Sequence, residues 1–341
     1  MTIKDVAKRA GVGIATVSRA LHGSPQVSPE TAARIREVIE ELGYRPNTNA
    51  QSLASGRSHL LGLVVSDITN PFFPELIKGF EGVALDHGYD VFVASTNYEP
   101  ARTALCVKRM IERKIDGVAI MTSEIDPTLR DTFAKRKVPL VFLDVGQVAC
   151  GISNVKVDYA HGIVEAVDHL RALGHSRIAF ISGPLHLESV RERRDAFLNR
   201  LDGSAGSPRL EPLVEEGNHK ADGGFQAMER VLERAPRVTA VIASNDLTAI
   251  GALRAVRQHG LRVPEDISVV GFDDIQMAQF TEPPLTTVKL IRTEVARLAC
   301  EALLHVIKTR GTGVEFCMST SLVVRASTGP VRVDLADRSD V

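Results

Sequence analysis

The sequence has 341 residues, of which 44% are hydrophobic and 24% are charged, and its formal net charge is −1. This composition is typical of a globular protein, and the length is sufficient for two or three domains. No apolar run reaches the roughly 18 residues of a membrane-spanning helix, and the four cysteines form no CxxC pair. Since the chain opens with an amphipathic helix, we expect no signal peptide, no membrane contact and a cytoplasmic location with reduced thiols.

The first 46 residues predict three short helices. Apolar residues at helical spacing follow the capping pair Thr2 and Asp5, and Gly11 ends this first helix. A second helix over 14–21 follows a tight turn, and Ser28 caps a third helix. Three such helices with glycine in the first turn match an all-α helix-turn-helix domain at 1–46. The alternative is a three-helix bundle without a partner.

The second helix is the one expected to contact DNA. Arg19 and Ser18 suit phosphate groups and base edges, whereas Ile14 and Ala15 suit methyl groups and groove shape. Residues 1–58 hold eight Lys or Arg and five Asp or Glu, so this region is weakly basic while the remainder is acidic. The residues expected at the DNA from this helix are Ile14, Ala15, Thr16, Ser18, Arg19 and His22.

Residues 47–58 form the predicted hinge between this domain and the rest of the chain. The run NTNAQSLASG suits a capped helix of about two turns, which is marginally stable alone in water. Leu53 is its only large apolar side chain, so no apolar stripe packs it onto a core. It is therefore either a wedge between base pairs in the minor groove or part of a flexible polar linker.

Residues 59–328 alternate apolar, strand-sized runs with amphipathic helices. This alternation predicts parallel sheets covered by helices, and its extent predicts two doubly wound sheets. In such α/β folds ligands bind beyond the carboxyl ends of the strands and between subdomains. We predict a first subdomain at about 59–158 and 287–319, a second at about 159–286 and 320–328, and a polar tail at 329–341.

Polar residues follow most of the predicted strands. Carboxylates and amides bind sugar hydroxyls, and an aromatic ring such as Phe72 or Phe73 packs on a sugar face. For any single position, loop polarity or helix capping is the alternative explanation. The residues expected at the carboxyl ends of the predicted strands are 67–70, Thr96, Thr122, Asp144, Gly183, Asn245, Asp246, Asp273 and Asp274.

Motifs in a fixed order run through the whole chain, among them TIKDVAKRAGVGIATVSRALHG, SDITNPFFPELIKGFE, HLRALGHSRIAFISGP and PPLTTV. Over residues 2–328 the chain closely resembles the lactose-repressor (LacI/GalR) family of bacterial transcription regulators. The resemblance implies a periplasmic-binding-protein-like core, and a homodimer that binds a pseudo-palindromic operator in double-stranded DNA. It places Leu53 at the hinge leucine that enters the operator centre. We also expect Thr2, Asn47, Asn49, Ala50 and Ala54 at the DNA.

The same resemblance implies an effector pocket. Arg193, Asn245 and Asp273 match the family's pocket arginine, amide and carboxylate. The full set expected at the effector is Phe72, Phe73, Asp144, Ser189, Arg193, His219, Asn245 and Asp273.

Two positions depart from the family pattern. His219 stands where relatives often carry Trp or Phe, and Leu290 stands where several carry a polar residue. A protonated His219 binds anions, and Lys220, Arg191 and Arg194 are close in sequence to predicted pocket residues. These departures count against a neutral sugar and favour a sugar acid or another anion.

Three functions fit the core alone: an α/β enzyme, a sugar-binding protein of periplasmic type without a regulatory role, and a ligand-responsive transcription regulator. No GxSxG, HExxH, P-loop or complete dinucleotide motif occurs. A predicted DNA-binding domain and no signal peptide oppose the periplasmic alternative. We predict a repressor of carbohydrate or sugar-acid metabolism genes, without catalytic residues, metal or cofactor. Its partners are operator DNA, a small-molecule effector and, since no leucine heptad follows the core, one second copy.

Overall fold

The computed structural model describes residues 1–21, 24–44, 57–122, 138–144, 147–202 and 213–332. The chain divides into two compact units, Met1–Ser58 and His59–Val341. His22, the hinge residues Asn47, Asn49, Ala50, Leu53 and Ala54, the helix predicted at 127–137 and most of the polar tail lie outside the described residues.

The described part of the N-terminal unit contains three helices, α1 (Ile3–Ala10), α2 (Ile14–Leu21) and α3 (Pro29–Leu42). The Thr2 N–H donates to the Asp5 carboxylate at 2.8 Å, which completes the predicted cap of α1. Gly11 ends α1 with φ 65°, a conformation that glycine adopts without strain. The three helices enclose a small apolar core made of Val6, Ala7, Ala10, Val17, Ile35 and Val38.

The second unit alternates strands and helices as the sequence predicts. In chain order its elements are β1 (Leu60–Val65), α4 (Phe72–Asp86), β2 (Asp90–Ser95), α5 (Pro100–Glu112), β3 (Gly117–Met121), β4 (Leu140–Leu143), β5 (Ile152–Asp158), α6 (Tyr159–Ala172), β6 (Ile178–Ser182), α7 (Glu188–Asp202), β7 (Val214–Glu216), α8 (Ala221–Arg234), β8 (Ala240–Ala243), α9 (Asp246–Gln258), β9 (Ser268–Asp273), β10 (Thr286–Lys289), α10 (Arg292–Thr309), β11 (Glu315–Ser319) and β12 (Ser321–Val323). A 3-10 turn, Gln276–Gln279, lies between β9 and β10.

These strands form two six-stranded sheets. The first has the order β11-β5-β4-β3-β1-β2, and all its paired strands are parallel. The second has the order β12-β10-β9-β8-β6-β7, with β12 antiparallel at its edge. Helices pack on both sheets, and α10 lies against α4 and the first sheet. The chain therefore crosses between the sheets after β5, after β10 and again between β11 and β12.

One predicted boundary needs correction. The first subdomain was expected to resume at residue 287, but residues 287–289 pair with β9 and β12 in the second sheet. The chain leaves the second sheet only after Lys289. The PPLTTV run continues a β-strand, which keeps these residues in the sheet where the strand begins.

Four strands, β5, β7, β10 and β11, were not predicted. In β5 the buried positions include Ser153 and Asn154, which hide its apolar pattern. Both side chains are hydrogen-bonded: Ser153 Oγ donates to the Ala302 carbonyl and Asn154 Nδ2 donates to Glu315. Buried polar groups with such partners fit inside a sheet without an energetic penalty. Within the described residues, no helix is long and apolar enough to cross a membrane.

Candidate functional site

A cavity that is partly open to solvent lies between the carboxyl ends of strands from both sheets. Ser66 and Thr122 follow β1 and β3 of the first sheet, while Asn245 follows β8 and Asp273 ends β9 of the second. Seven of the eight residues predicted for an effector line this cavity: Phe72, Phe73, Ser189, Arg193, His219, Asn245 and Asp273.

Asp144 is the predicted residue that does not line the cavity. It lies behind Tyr159, whose hydroxyl donates to the Asp144 carboxylate at 2.5 Å. The Val157 N–H donates to the other carboxylate oxygen at 2.8 Å. Burial raises the pKa of Asp144 to about 6, although these two hydrogen bonds oppose the rise. Asp144 therefore orients Tyr159, which is itself a lining residue.

Arg193 is a buried cation held by aromatic rings. Its guanidinium carbon lies 4.4 Å from the ring centroids of both Tyr159 and Phe272. Nη1 donates to the Ser244 carbonyl at 2.6 Å, whereas buried Nε has no hydrogen-bond partner in the described part of the chain. A buried donor without a partner is costly, so Nε is suited to a ligand oxygen. Among the described lining residues, Arg193 is the only Lys or Arg.

His219 is buried and neutral. Burial and, to a smaller extent, the nearby charge of Arg193 lower its pKa to about 3. The ring Nε2 is 3.0 Å from Ser244 Oγ, and the backbone carbonyl accepts from Asn245 Nδ2 at 3.0 Å. Burial therefore favours the neutral imidazole, and the structure does not support the expectation that a protonated His219 binds an anion.

Asp273 supplies the carboxylate of the cavity. Burial raises its pKa to about 6, and Arg193 and Arg292 oppose this rise. The carboxylate accepts no hydrogen bond from any described residue, although it is buried. Its backbone φ of 110° is in the region that L-residues rarely adopt. Strain of this kind concentrates at ligand sites.

The cavity also has an aromatic wall. Phe72 and Phe73 begin α4 and pack edge to face, with ring centroids 5.1 Å apart. On the opposite sheet, the side-chain oxygen Oδ1 of Asn245 accepts from the Thr248 N–H at 2.8 Å and so caps α9. Asn245 thus serves as a helix cap, the alternative left open by the sequence, and also lines the cavity.

The basic residues near the pocket in sequence lie elsewhere. Lys220 is exposed at the start of α8 and does not line the cavity. Arg191 donates to the carbonyls of Leu185 and His186, and Arg194 pairs with its neighbour Asp195. The basic cluster therefore gives no support for an anion site, apart from Arg193.

Two tyrosines line the cavity without having been predicted. Tyr159 begins α6 directly after β5, and the polar residues of β5 concealed that strand end. Tyr98 follows β2 with φ 61°, and its ring centroid is 6.3 Å from that of His219. The sequence NYEP after a strand was the available signal for Tyr98.

In the N-terminal unit, α2 presents the predicted outward face. Val17 is fully buried, whereas Ile14 is 45% exposed and Ala15 and Arg19 are also exposed. Thr16 and Ser18 are half-buried, and Thr2 is exposed at the start of α1. These side chains form the candidate nucleic-acid surface. Across the described residues, no group of three His, Cys, Asp or Glu side chains is placed to hold a metal.

A helix-turn-helix unit and a two-sheet core with a small-molecule cavity define a ligand-responsive transcription regulator. Residues 2–47 match the model of bacterial regulatory proteins, lacI family, and residues 167–328 match a periplasmic binding protein-like domain. The chain is 37% identical to the "Probable HTH-type transcriptional repressor ExuR" of Bacillus subtilis (strain 168), over 96% of this chain and 98% of that protein. The chain belongs to the lacI family, and it is a DNA-binding transcriptional repressor.

Other similarities agree with this assignment. Catabolite control protein A of Priestia megaterium is 31% identical over 89% of this chain and 91% of that protein. The Lac repressor dimer bound to operator and the anti-inducer ONPF matches with a TM-score of 0.86 and 30% identity, covering 96% of this chain and 99% of that one. These relatives are regulators rather than enzymes.

Proposed function

We propose that this repressor controls genes of carbohydrate or sugar-acid metabolism and that its effector is a hydroxyl-rich small molecule bound in the cavity. The observation that carries this proposal is a pair of unused polar groups. The Asp273 carboxylate and Arg193 Nε both lack a hydrogen-bond partner among the described residues, and both residues line the cavity. A sugar hydroxyl donates to a carboxylate and accepts from a guanidinium, so one ligand satisfies both.

The wall composition supports a sugar. Phe72 and Phe73 offer apolar surface for a sugar-ring face. Since His219 is neutral, a sugar acid would place its carboxylate at Arg193, where a neutral sugar would place a hydroxyl. One relative, 32% identical, is named the ribose operon repressor of Escherichia coli (strain K12), and a similar solved regulator from Enterococcus faecium holds ribose.

For the DNA we propose a homodimer on a pseudo-palindromic operator, with α2 in the major groove and Leu53 in the minor groove. The exposed face of α2 supports the first contact. The placement of Leu53 in the minor groove rests on the resemblance of the hinge sequence to that of the family. An effector that prefers one conformation of the core by about 1.4 kcal/mol would change operator affinity tenfold.

A thermal-shift screen tests the effector class. The full chain is heated with matched ligands, such as D-galactose and D-galacturonate, and with ribose, sugar phosphates and nucleobases. A sugar or sugar acid at about 100 times its Kd stabilises the core by about 2.7 kcal/mol, and Lys220→Gln leaves that shift unchanged. Stabilisation by nucleobases alone, or by nothing in the panel, would remove the proposal.

Leu53→Ala tests the minor-groove contact. We expect it to weaken binding to a selected operator by at least tenfold and to change binding to random DNA by less than about threefold, because a wedge acts only on a specific kinked site. Electrophoretic mobility shifts on both DNAs measure this. An equal loss on the two DNAs would contradict the wedge.

A further inference from the structure

We propose that Arg292 is a positioning residue for the effector site: its guanidinium holds the turn after β9 so that the Asp273 carboxylate stays directed into the cavity. The inference rests on the proposed function, since it assigns Asp273 to the effector. Arg292 does not itself line the cavity, so it acts through Asp273.

The contacts of Arg292 converge on this turn. The side chain is buried, and Nη1 donates to the Asp273 carbonyl while Nη2 donates to the Asp274 carbonyl at 2.9 Å. Nε and Nη2 donate to the same oxygen of Glu75, at 2.9 and 2.7 Å. One planar guanidinium thus ties two backbone carbonyls of the second sheet to a carboxylate on α4 of the first subdomain.

The turn needs such a restraint because its backbone is strained. Asp273 has φ 110° and Asp274 has φ 55°, two consecutive non-glycine residues in the left-handed half of the map. Strain of this kind persists only where neighbouring groups hold the backbone in place. The turn has further support from Arg325, which donates to the Asp274 carboxylate at 2.5 Å, and from the Thr287 hydroxyl, which accepts from the Asp274 N–H at 3.4 Å. The Asp273 carbonyl accepts its hydrogen bond from Arg292 rather than from Arg325.

The arrangement also joins two walls of the cavity. Glu75 lies one turn into α4, and the first residues of α4 are the aromatic pair Phe72 and Phe73. Arg292 begins α10, which packs along α4. The ion pair with Glu75 therefore fixes the guanidinium to the helix that carries Phe72 and Phe73. The hydrogen bonds from the same guanidinium to the Asp273 and Asp274 carbonyls fix the turn that carries the cavity carboxylate. In addition, the positive charge of Arg292 opposes the rise of the Asp273 pKa that burial causes.

The test uses Arg292→Gln in the full chain, with Arg297→Gln as the matched control. Arg297 lies on the same helix, but among the described residues it pairs only with Glu294 and Glu301 and does not contact the turn. The first measurement follows the Asp273 carboxyl by carbon-13 NMR, assigned by comparison with Asp273→Asn, and needs no sugar. We expect Arg292→Gln to raise the pKa of Asp273 by about one unit, since it removes a nearby cation, and Arg297→Gln to leave it unchanged.

The second measurement is the Kd of D-galactose and of D-galacturonate by calorimetry. We expect Arg292→Gln to weaken the affinity for the sugar that binds the wild type by at least tenfold. Arg292→Lys should weaken this affinity by less, and Arg297→Gln by less than twofold. Glu75→Gln changes a half-exposed side chain that holds the Arg292 guanidinium, and it should weaken sugar binding by a smaller amount. It therefore decides the question if Arg292→Gln does not fold.

The outcomes are distinguishable from failure of the proposed function. If no sugar or sugar acid of the thermal-shift panel binds the wild type, the effector class is wrong, and the Asp273 titration alone decides the role of Arg292. An unchanged Asp273 pKa in Arg292→Gln would overturn the inference. So would equal weakening of sugar binding by Arg292→Gln and Arg297→Gln.

Discussion

Asp273 is buried without a hydrogen bond to its carboxylate from any described residue, and burial raises its pKa to about 6. A carboxyl in this state favours the protonated form in the folded protein more than in the unfolded chain. It therefore opposes folding at neutral pH and becomes useful only when a ligand donates hydrogen bonds to it. Residues chosen for binding rather than for stability commonly show this trade-off.

We therefore predict that Asp273→Asn stabilises the core at pH 7. The folded pKa of about 6 lies above the ordinary aspartate value of 3.8, so the native state loses stability as pH rises through this interval. Replacing the carboxyl should raise the free energy of unfolding by on the order of 1–3 kcal/mol at pH 7 and by much less at pH 4. Thermal unfolding at the two pH values measures this. The same gain at pH 4 and pH 7 would show that ionisation is not the cause.

At the same scale, the sequence identified residue types but not their charge states. Seven of the eight predicted pocket residues line the cavity because strand ends and the family motifs fixed their places. The neutrality of His219 and the distance of Lys220 from the cavity depend on which side chains exclude water. Burial of this kind arises from tertiary packing, and no local pattern in the sequence specifies it.

At the scale of secondary structure, the loop after β6 and the loop before α8 fit each other closely. His219 has φ 62° and fills the space beside Gly183. A Cβ atom at Gly183 would lie 2.0 Å from His219 Nε2, so only glycine leaves room for the ring. The two loops therefore determine together the shape of this side of the cavity.

Gly183→Ala should consequently displace His219. We expect at least a tenfold loss of affinity for the sugar that stabilises the wild type, with little change in operator binding without sugar. Gly311→Ala is the control, since its Cβ would meet only ordinary contacts with Thr309. Calorimetric titration of both variants checks this. Unchanged sugar affinity in Gly183→Ala would mean that His219 does not shape the site.

The elements also show where sequence patterns fail. Strands with uninterrupted apolar residues, such as β1 and β9, were predicted directly. β5 was missed because hydrogen-bonded Ser153 and Asn154 occupy buried positions, and with it the tyrosine that follows. β7 has only three residues, too few for a period to appear. The position of β10 in the second sheet depends on pairing between distant strands, which the chain order does not reveal.

For the whole molecule, the chain combines a weakly basic N-terminal unit with an acidic remainder. Phosphate contacts give DNA affinity that does not depend on sequence, whereas base contacts from α2 supply specificity. Control by an effector requires only that the effector bind one conformation of the core better than another and that the two conformations differ in operator affinity. The operator must change the affinity for the effector by the same factor, because one coupling free energy links the two sites.

The central claim is that a sugar held at Asp273 controls operator binding. Its most direct test is fluorescence anisotropy of the full chain on an operator selected from random DNA, titrated with the sugar that stabilises it. The sugar should change the operator affinity of the wild-type protein at least tenfold, in either direction. Asp273→Asn should bind the operator equally well without sugar and show no response to it. A response of Asp273→Asn at the same sugar concentration as wild type would contradict the account.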